Sequence, residues 1–272
     1  MSGNDVLLPL RELESVAANQ LCAKMGKILI EVCVDSVASA CAAERGGAGR
    51  IELCSGLLEG GVTPSTGLIE LVRESVTIGL HVMIRPRGGD FCYDDAESEI
   101  MRRDIVNAKQ LGADGVVFGI LDVDGRVDVE RTRRLIELAR PLGVTFHRAF
   151  DMSADLFRAL EDVCAAGADR ILTSGGEQTS VVGREMITRL VAVANGRITI
   201  MPGSGINEGN AAGLIQETGV REIHVGLRSA VPSPMRHQNR QVTMGAAKGG
   251  EYVRLRVLEE SVRNLHRAIA NL

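Results

Sequence analysis

The chain has no tryptophan, two tyrosines and five phenylalanines, so aromatic residues make up 3% of its 272 residues. So few rings exclude the stacking platform that single-stranded nucleic acid requires. An excess of positive charge is also missing. The 31 Lys and Arg face 35 Asp and Glu, a net charge of −4, which leaves no electrostatic footprint for nucleic acid or an anionic membrane. No apolar run reaches the ~18 residues of a membrane-spanning helix. The first residues, Met1-Ser2-Gly3-Asn4-Asp5, lack the basic segment and apolar block of a secretion signal. Six cysteines follow no framework spacing, which points to reduced thiols in an intracellular compartment. The expectation is a cytoplasmic protein with no nucleic-acid or membrane partner.

What is present is rhythm. Gly47, Gly112, Gly143, Gly167 and Gly219 each follow a helical-period segment and precede a short β-branched run. Glycine suits the left-handed position that ends a helix. Eight strands are predicted, near 28–34, 50–54, 80–85, 115–119, 144–148, 170–173, 197–201 and 222–226. Helices are predicted between them, near 36–46, 66–78, 94–111, 128–140, 153–166, 180–195 and 207–217, with Ser36, Asp94, Asp128, Ser153 and Asn207 as N-caps. A last helix is predicted over 252–272. Strict alternation favours an α/β fold of the (β/α)8 TIM-barrel type, with an open parallel sheet as the alternative. Residues 27–272 form the single barrel domain in this reading, and 1–26 a short N-terminal extension. That extension carries a short amphipathic pattern at Leu10, Leu13, Val16 and Ala17. The stretch 229–250 reads as a long loop.

Strand parity sorts the side chains. Ile30, Val32, Ile51, Leu53, Val82, Ile84, Ile198, Ile200, Ile223 and Val225 form the apolar set that belongs under the helices. The opposite parity puts Glu31, Cys33, Glu52, Cys54, Met83, Arg85, Thr145, His147, Thr199, Met201 and His224 in the lumen. Strands 4 and 6 leave their inward set open. A doubled Glu-x-Cys, Glu31-Val32-Cys33 and Glu52-Leu53-Cys54, thus presents two carboxylates and two thiols to one face. A buried carboxylate is costly unless paired or functional.

Two readings of this face follow. Cys33 and Cys54 lie on adjacent strands ~4.8 Å apart and suit a soft ion, Cu(I) or Zn(II), supplemented by Met83, Met201, His147 or His224. Alternatively, Glu31, Glu52, Arg85 and His147 supply the acid, base and anion clamp of an enzyme acting on a small anionic metabolite. Arg87, on the Arg85-Pro86-Arg87-Gly88-Gly89-Asp90 loop, suits carboxylate or phosphate recognition. So does the Gly203-Ser204-Gly205 turn with Arg228, because phosphate sites in this fold use the loops after strands 7 and 8. Asp151 closes strand 5 within one turn of His147 and can fix its tautomer. No organic cofactor is predicted.

Four strings carry a resemblance: Glu31-Val32-Cys33-Val34-Asp35-Ser36, Arg50-Ile51-Glu52-Leu53-Cys54-Ser55-Gly56-Leu57, Met83-Ile84-Arg85-Pro86-Arg87-Gly88-Gly89-Asp90-Phe91 and Thr145-Phe146-His147-Arg148-Ala149-Phe150-Asp151. In order and spacing, from about residue 28 onward, they resemble the CutC copper homeostasis family. The resemblance implies a TIM barrel, Cu(I) binding with Cys33 and Cys54 as the ligands, and homo-oligomers, dimeric or tetrameric. It also implies a cytoplasmic protein, nuclear as well in animals. Gly203-Ser204-Gly205 and His224-Val225-Gly226-Leu227-Arg228 depart from the family pattern. Both lie on the anion-binding half of the mouth, away from the cysteines.

Overall fold

The structure, a computed structural model, describes residues 28–239, 241–244 and 250–272. The predicted extension 1–26 lies outside the described residues. Eight strands alternate with helices. They are β1 Leu29–Val34, β2 Arg50–Leu53, β3 Gly79–Met83, β4 Gly115–Phe118, β5 Gly143–Phe146, β6 Arg170–Thr173, β7 Thr199–Pro202 and β8 Glu222–Val225. The helices are α1 Val37–Gly46, α2 Thr66–Ser75, α3 Asp95–Gln110, α4 Val129–Ala139, α5 Leu156–Ala166, α6 Arg184–Ala194, α7 Ala211–Thr218 and α8 Glu259–Ile269. Each strand from β1 to β6 pairs in parallel with its successor, and β1 also pairs with β8. That second pairing leaves β7 and β8 as the two flanks of the sheet. A parallel bridge from Gly203 to His224 draws β7 to β8, so the fold is a (β/α)8 TIM barrel.

The predicted parity is the observed one. All ten aliphatic residues assigned to the helix side are buried in one contiguous core with the inner faces of the helices. Cys54, Met83 and Val117 form a separate lumen cluster, with Cys33 and Leu57 against it. Val117 and Leu172 settle the lumen face of β4 and β6.

Helix ends show the same local logic. Ser36, Asp94 and Asp128 accept backbone N–H bonds as caps, and Asp94 with Glu97 completes a capping box. Two predicted caps are displaced. α5 is capped by Asp155, two residues past Ser153, and α7 follows Asn210 rather than Asn207. Gly47, Gly112, Gly167 and Gly219 adopt positive φ as expected, whereas Gly143 does not. It opens β5 directly, three residues after the Arg140 C-cap of α4.

The C-terminal region differs from expectation. Arg228–Pro232 is a strand, β9, paired antiparallel with β10, Val253–Val257. The segment read as loop therefore begins as a strand, and the segment read as the start of the last helix is its partner. The physical signal was there: Val253, Leu255 and Val257 alternate strictly with Arg254 and Arg256, a period of two rather than 3.6. The helix proper starts at Glu259.

Candidate functional site

The C-terminal mouth of the barrel holds a cavity of ≈ 520 Å³. Cys33, Glu52, Met83, Arg85, His147, Asp151 and His224 line it, together with Phe91, Arg148 and Leu172. Six of the eleven lumen residues predicted from parity, Cys33, Glu52, Met83, Arg85, His147 and His224, are thus brought together here.

Cys33, which lines the cavity, converges with the buried Cys54, which does not line it. In the β1–β2 register Cys33 faces Glu52, so Cys54 sits two residues further along its strand. That offset, ~6.6 Å along and ~4.8 Å across, sets the backbones roughly 8 Å apart. The side chains close the gap, leaving Sγ to Sγ at 3.9 Å. A disulfide needs Cα atoms within ~7 Å, so the pair stays as two thiols. Glu52 Oε2, 3.4 Å from Cys54 Sγ, competes with Cys33 as acceptor for the single Cys54 thiol hydrogen. Within 4.8 Å of one another stand the ligand atoms of Cys33, Glu52 and Cys54, and likewise those of Glu31, Glu52 and His224.

The protons are distributed unequally. The hydrogen bond from Cys54 holds the Cys33 thiol down at about 5, with His224 assisting against burial. The same bond, with burial, pushes Cys54 well above its ordinary value. At neutral pH the pair is one thiolate and one thiol sharing a proton. Burial raises the Glu52 carboxyl to about 8. His224 is raised well above the usual imidazole range: burial opposes its charge, but Glu52, Cys33 and Glu31 outweigh it.

Below this tier lies a network that the sequence reading did not assemble. Glu31 is fully buried. It accepts from Arg50 and from His224 Nδ1, the latter at 2.8 Å, and His81 Nδ1 is 3.9 Å away. Arg50 also donates to Glu222 and to the Met201 sulfur at 3.3 Å, and Arg170 donates to Glu222 and Thr145. Against the burial that favours its neutral form, His224, Arg50 and His81 keep the Glu31 carboxyl ionised far below the ordinary range. Burial lowers His81 to about 4. Arg50, His81 and Glu222 share strand parity with Glu52, Met83 and His224, so extending the alternation to the strand starts would have found them.

The remaining predicted residues separate. Arg85 donates to the carbonyls of Glu59, Gly61 and Gly89 at 2.8, 2.9 and 2.7 Å. His147 lies edge-on to Phe91, with ring centroids 4.9 Å apart. Its Nδ1 accepts from Ala149 N–H, and it does not pair with Asp151. The Asp151 carboxylate instead accepts from Ser174 N–H, Gly176 N–H, Thr173 and Arg148, tying the β5 turn to the end of β6. Arg87 is occupied by Glu97 and Asp90 and does not line the cavity. Neither do Gly203, Ser204, Gly205 and Arg228. The Ser204 hydroxyl donates to the Gln178 carbonyl, and Arg228 is an exposed residue of β9. At Gly203 a Cβ would come within 2.6 Å of Leu172 and 3.3 Å of His224, so this glycine lets the β7 end pack against the site.

Residues 28–229 match the CutC family. The chain belongs to that family. The mouse (Mus musculus) copper homeostasis protein cutC homolog is 51% identical over 239 residues, 88% of each chain. The family protein CutC of Chromobacterium violaceum is 48% identical over 245 residues, 90% of this chain and 99% of its own. Among crystal structures, the CutC protein of Streptococcus agalactiae aligns with a TM-score of 0.69 at 36% identity, covering 73% of this chain and 98% of that one. The aldolase QR15, at 15% identity and a TM-score of 0.53, shares the fold alone. Among the described residues of this CutC family chain, no helix is long and apolar enough to cross a membrane.

Proposed function

We propose that this chain serves copper homeostasis by holding Cu(I) as cargo between Cys33 and Cys54. The observation that carries the reading is the 3.9 Å approach of the two sulfurs, with Cys33 lining an accessible cavity and Cys54 buried beside it. Metal–thiolate bonds of ~2.3 Å let one ion reach both sulfurs, since a straight S–metal–S line would span ~4.6 Å. The ion would sit off that line, toward Glu52 and His224. Thiolates are the ligand class that selects Cu(I), and carboxylate is the poorer match. Cys33 is held as the stronger acid of the pair, so it is the first of the two thiols to ionise. The names of the mouse and human relatives support the same role.

Membership of the family adds the rest of the proposal. Residues 27–272 act as one barrel domain, the chain assembles as a homo-oligomer, dimeric or tetrameric, and it works in the cytoplasm and the nucleus.

Anaerobic competition against a Cu(I) chelator tests the reading. One Cu(I) per subunit is expected, with affinity collapsing in Cys33→Ser and in Cys54→Ser. Unchanged retention in both variants would overturn it.

A further inference from the structure

The two thiols are not equally open to an arriving ion. Cys33 is half-buried and lines the mouth cavity, whereas Cys54 is fully buried. An ion that enters by the cavity meets one sulfur and not the other. The loop Ser55–Val62 hides the second.

This loop is closed on itself. Ser55 N–H donates to the Val62 carbonyl at 3.0 Å and Val62 N–H to the Ser55 carbonyl at 2.8 Å, which brings its two ends together. Leu57–Glu59 forms one 3-10 helical turn between them. The Leu57 side chain packs on the cluster of Cys54, Met83 and Val117. The Gly61 backbone lies against the sulfur: a Cβ there would come within 3.2 Å of Cys54 Sγ, and its φ of 92° favours glycine. Compact loops whose ends meet are units that open locally while the rest of a protein stays folded.

One side chain fastens the loop. Arg85, two positions past the end of β3, is 4% exposed. Its Nη1 donates to the carbonyls of Glu59 and Gly61 at 2.8 and 2.9 Å, and its Nη2 to the Gly89 carbonyl at 2.7 Å. Among the described residues, no other hydrogen bond joins residues 56–61 to the rest of the chain. Leu58, at the tip, is 79% exposed. Hydrogen bonds from a charged donor are the strong ones, so the fastening is firm but confined to a single nitrogen.

We propose that Ser55–Val62 is a gate over Cys54, latched by Arg85, and that Cu(I) is loaded in order: first on Cys33 through the cavity, then on Cys54 when the loop lifts. The order of loading rests on the thiol reading of the site, whereas the gate does not. Arg85 is a positioning residue in this account, acting through the loop backbone and touching neither sulfur nor ion.

The test closes the gate on purpose. A Cβ on Gly88 would lie 3.3 Å from the Glu59 Cβ, close to the ~3.5–4.5 Å of a disulfide. Glu59→Cys with Gly88→Cys therefore staples the loop to its neighbour. Both changes are made in full-length Cys33→Ser protein, where the charge of a second thiol does not govern Cys54, and the staple is verified by mass spectrometry. Iodoacetamide alkylation of Cys54 should be about tenfold slower in the stapled form than after reduction and desalting. Arg85→Met, in the same Cys33→Ser background, should raise Cys54 alkylation about tenfold and speed amide exchange in residues 56–61. Cys164, which packs against the main core, should be alkylated at its wild-type rate. Equal Cys54 rates in stapled and reduced proteins, or an Arg85→Met protein whose loop and Cys54 behave as in wild type, would overturn the gate. Copper is read separately, as the rate of Cu(I) uptake from a chelator by chains that keep both thiols. Faster uptake in Arg85→Met supports ordered loading and an equal rate refutes it. No uptake by either protein refutes the thiol reading, and with it the loading order, while the alkylation result still decides the gate.

Discussion

Replacing Cys54 by alanine should make the Cys33 thiol weaker as an acid. The largest cause of its midpoint near 5 is the hydrogen bond that Cys54 donates across 3.9 Å. A hydrogen bond to a charged group contributes ~1.5–3 kcal/mol. At ~1.4 kcal/mol per pH unit, its loss moves the midpoint from about 5 to about 6–7, short of the ~8.5 of a free cysteine. It stops short because His224 and Glu52 still face the sulfur. Cys54→Ser keeps an O–H donor and should restore most of the depression. The assay is the rate of iodoacetamide alkylation across pH 4–9, with the site assigned by mass spectrometry, beside thiolate absorbance in the ultraviolet. A wild-type midpoint near 8.5, or one that does not move in Cys54→Ala, would refute the shared-proton account. Copper retention should fail in both variants, because serine restores the proton but not the soft ligand. That contrast separates the electrostatic role of Cys54 from its role as a ligand.

Three further outcomes are expected. Burial, with Arg85, lowers His147 to about 3, so the folded protein refuses a proton that the unfolded chain accepts below pH ~6.5. Stability carried by the neutral ring is therefore full above pH ~6.5 and lost as pH falls. The stability difference between wild type and His147→Phe should change by ~1.4 kcal/mol per pH unit over that window, measured by urea unfolding, and a pH-independent difference would count against it. Glu31→Gln removes a fully buried carboxylate that Arg50 and His224 require. Breaking such a pair costs ~3–5 kcal/mol, and the low end is expected because Glu222 remains beside Arg50. A shift below ~1 kcal/mol in the denaturation midpoint would contradict the network. Finally, diamide should leave Cys33 and Cys54 uncrosslinked, since their backbones are roughly 8 Å apart. A disulfide-linked peptide between them would show that the two backbones approach more closely than the two-residue offset implies.

Much of the barrel was legible because burial on the helix side imposes aliphatic residues at every second strand position. Ile30, Val32, Ile51, Leu53, Ile223 and Val225 follow that rule without exception. Caps such as Ser36, Asp94 and Asp128 were legible because their hydrogen bonds are local. The lumen floor was not. Arg50 and Glu222 begin their strands, where polar residues read as boundary, His81 lies in the middle of β3, and their pairing is decided only when β1, β2, β3 and β8 stand side by side. The β9–β10 ribbon escaped for a related reason: its paired residues are 21 to 29 positions apart in the chain, and the alternation at Val253–Val257 adjoins the helical pattern that follows it.

Sequence by itself determined which residues of six strands face the lumen, because parity is a property of the strand; β4 and β6 were settled only by Val117 and Leu172 in the structure. It determined that two carboxylates and two thiols share that face, and that the chain carries the CutC strings. Tertiary structure alone decided three things. Side-chain reach overcame a two-residue register offset and brought Cys33 to 3.9 Å from Cys54. Burial and close charges divided the glutamates, holding Glu31 ionised and raising Glu52 to about 8. Barrel closure separated Arg87 and Arg228 from the mouth while leaving Arg85 and His147 in its wall. Each depends on distances between strands and loops far apart in the chain, which no local pattern encodes.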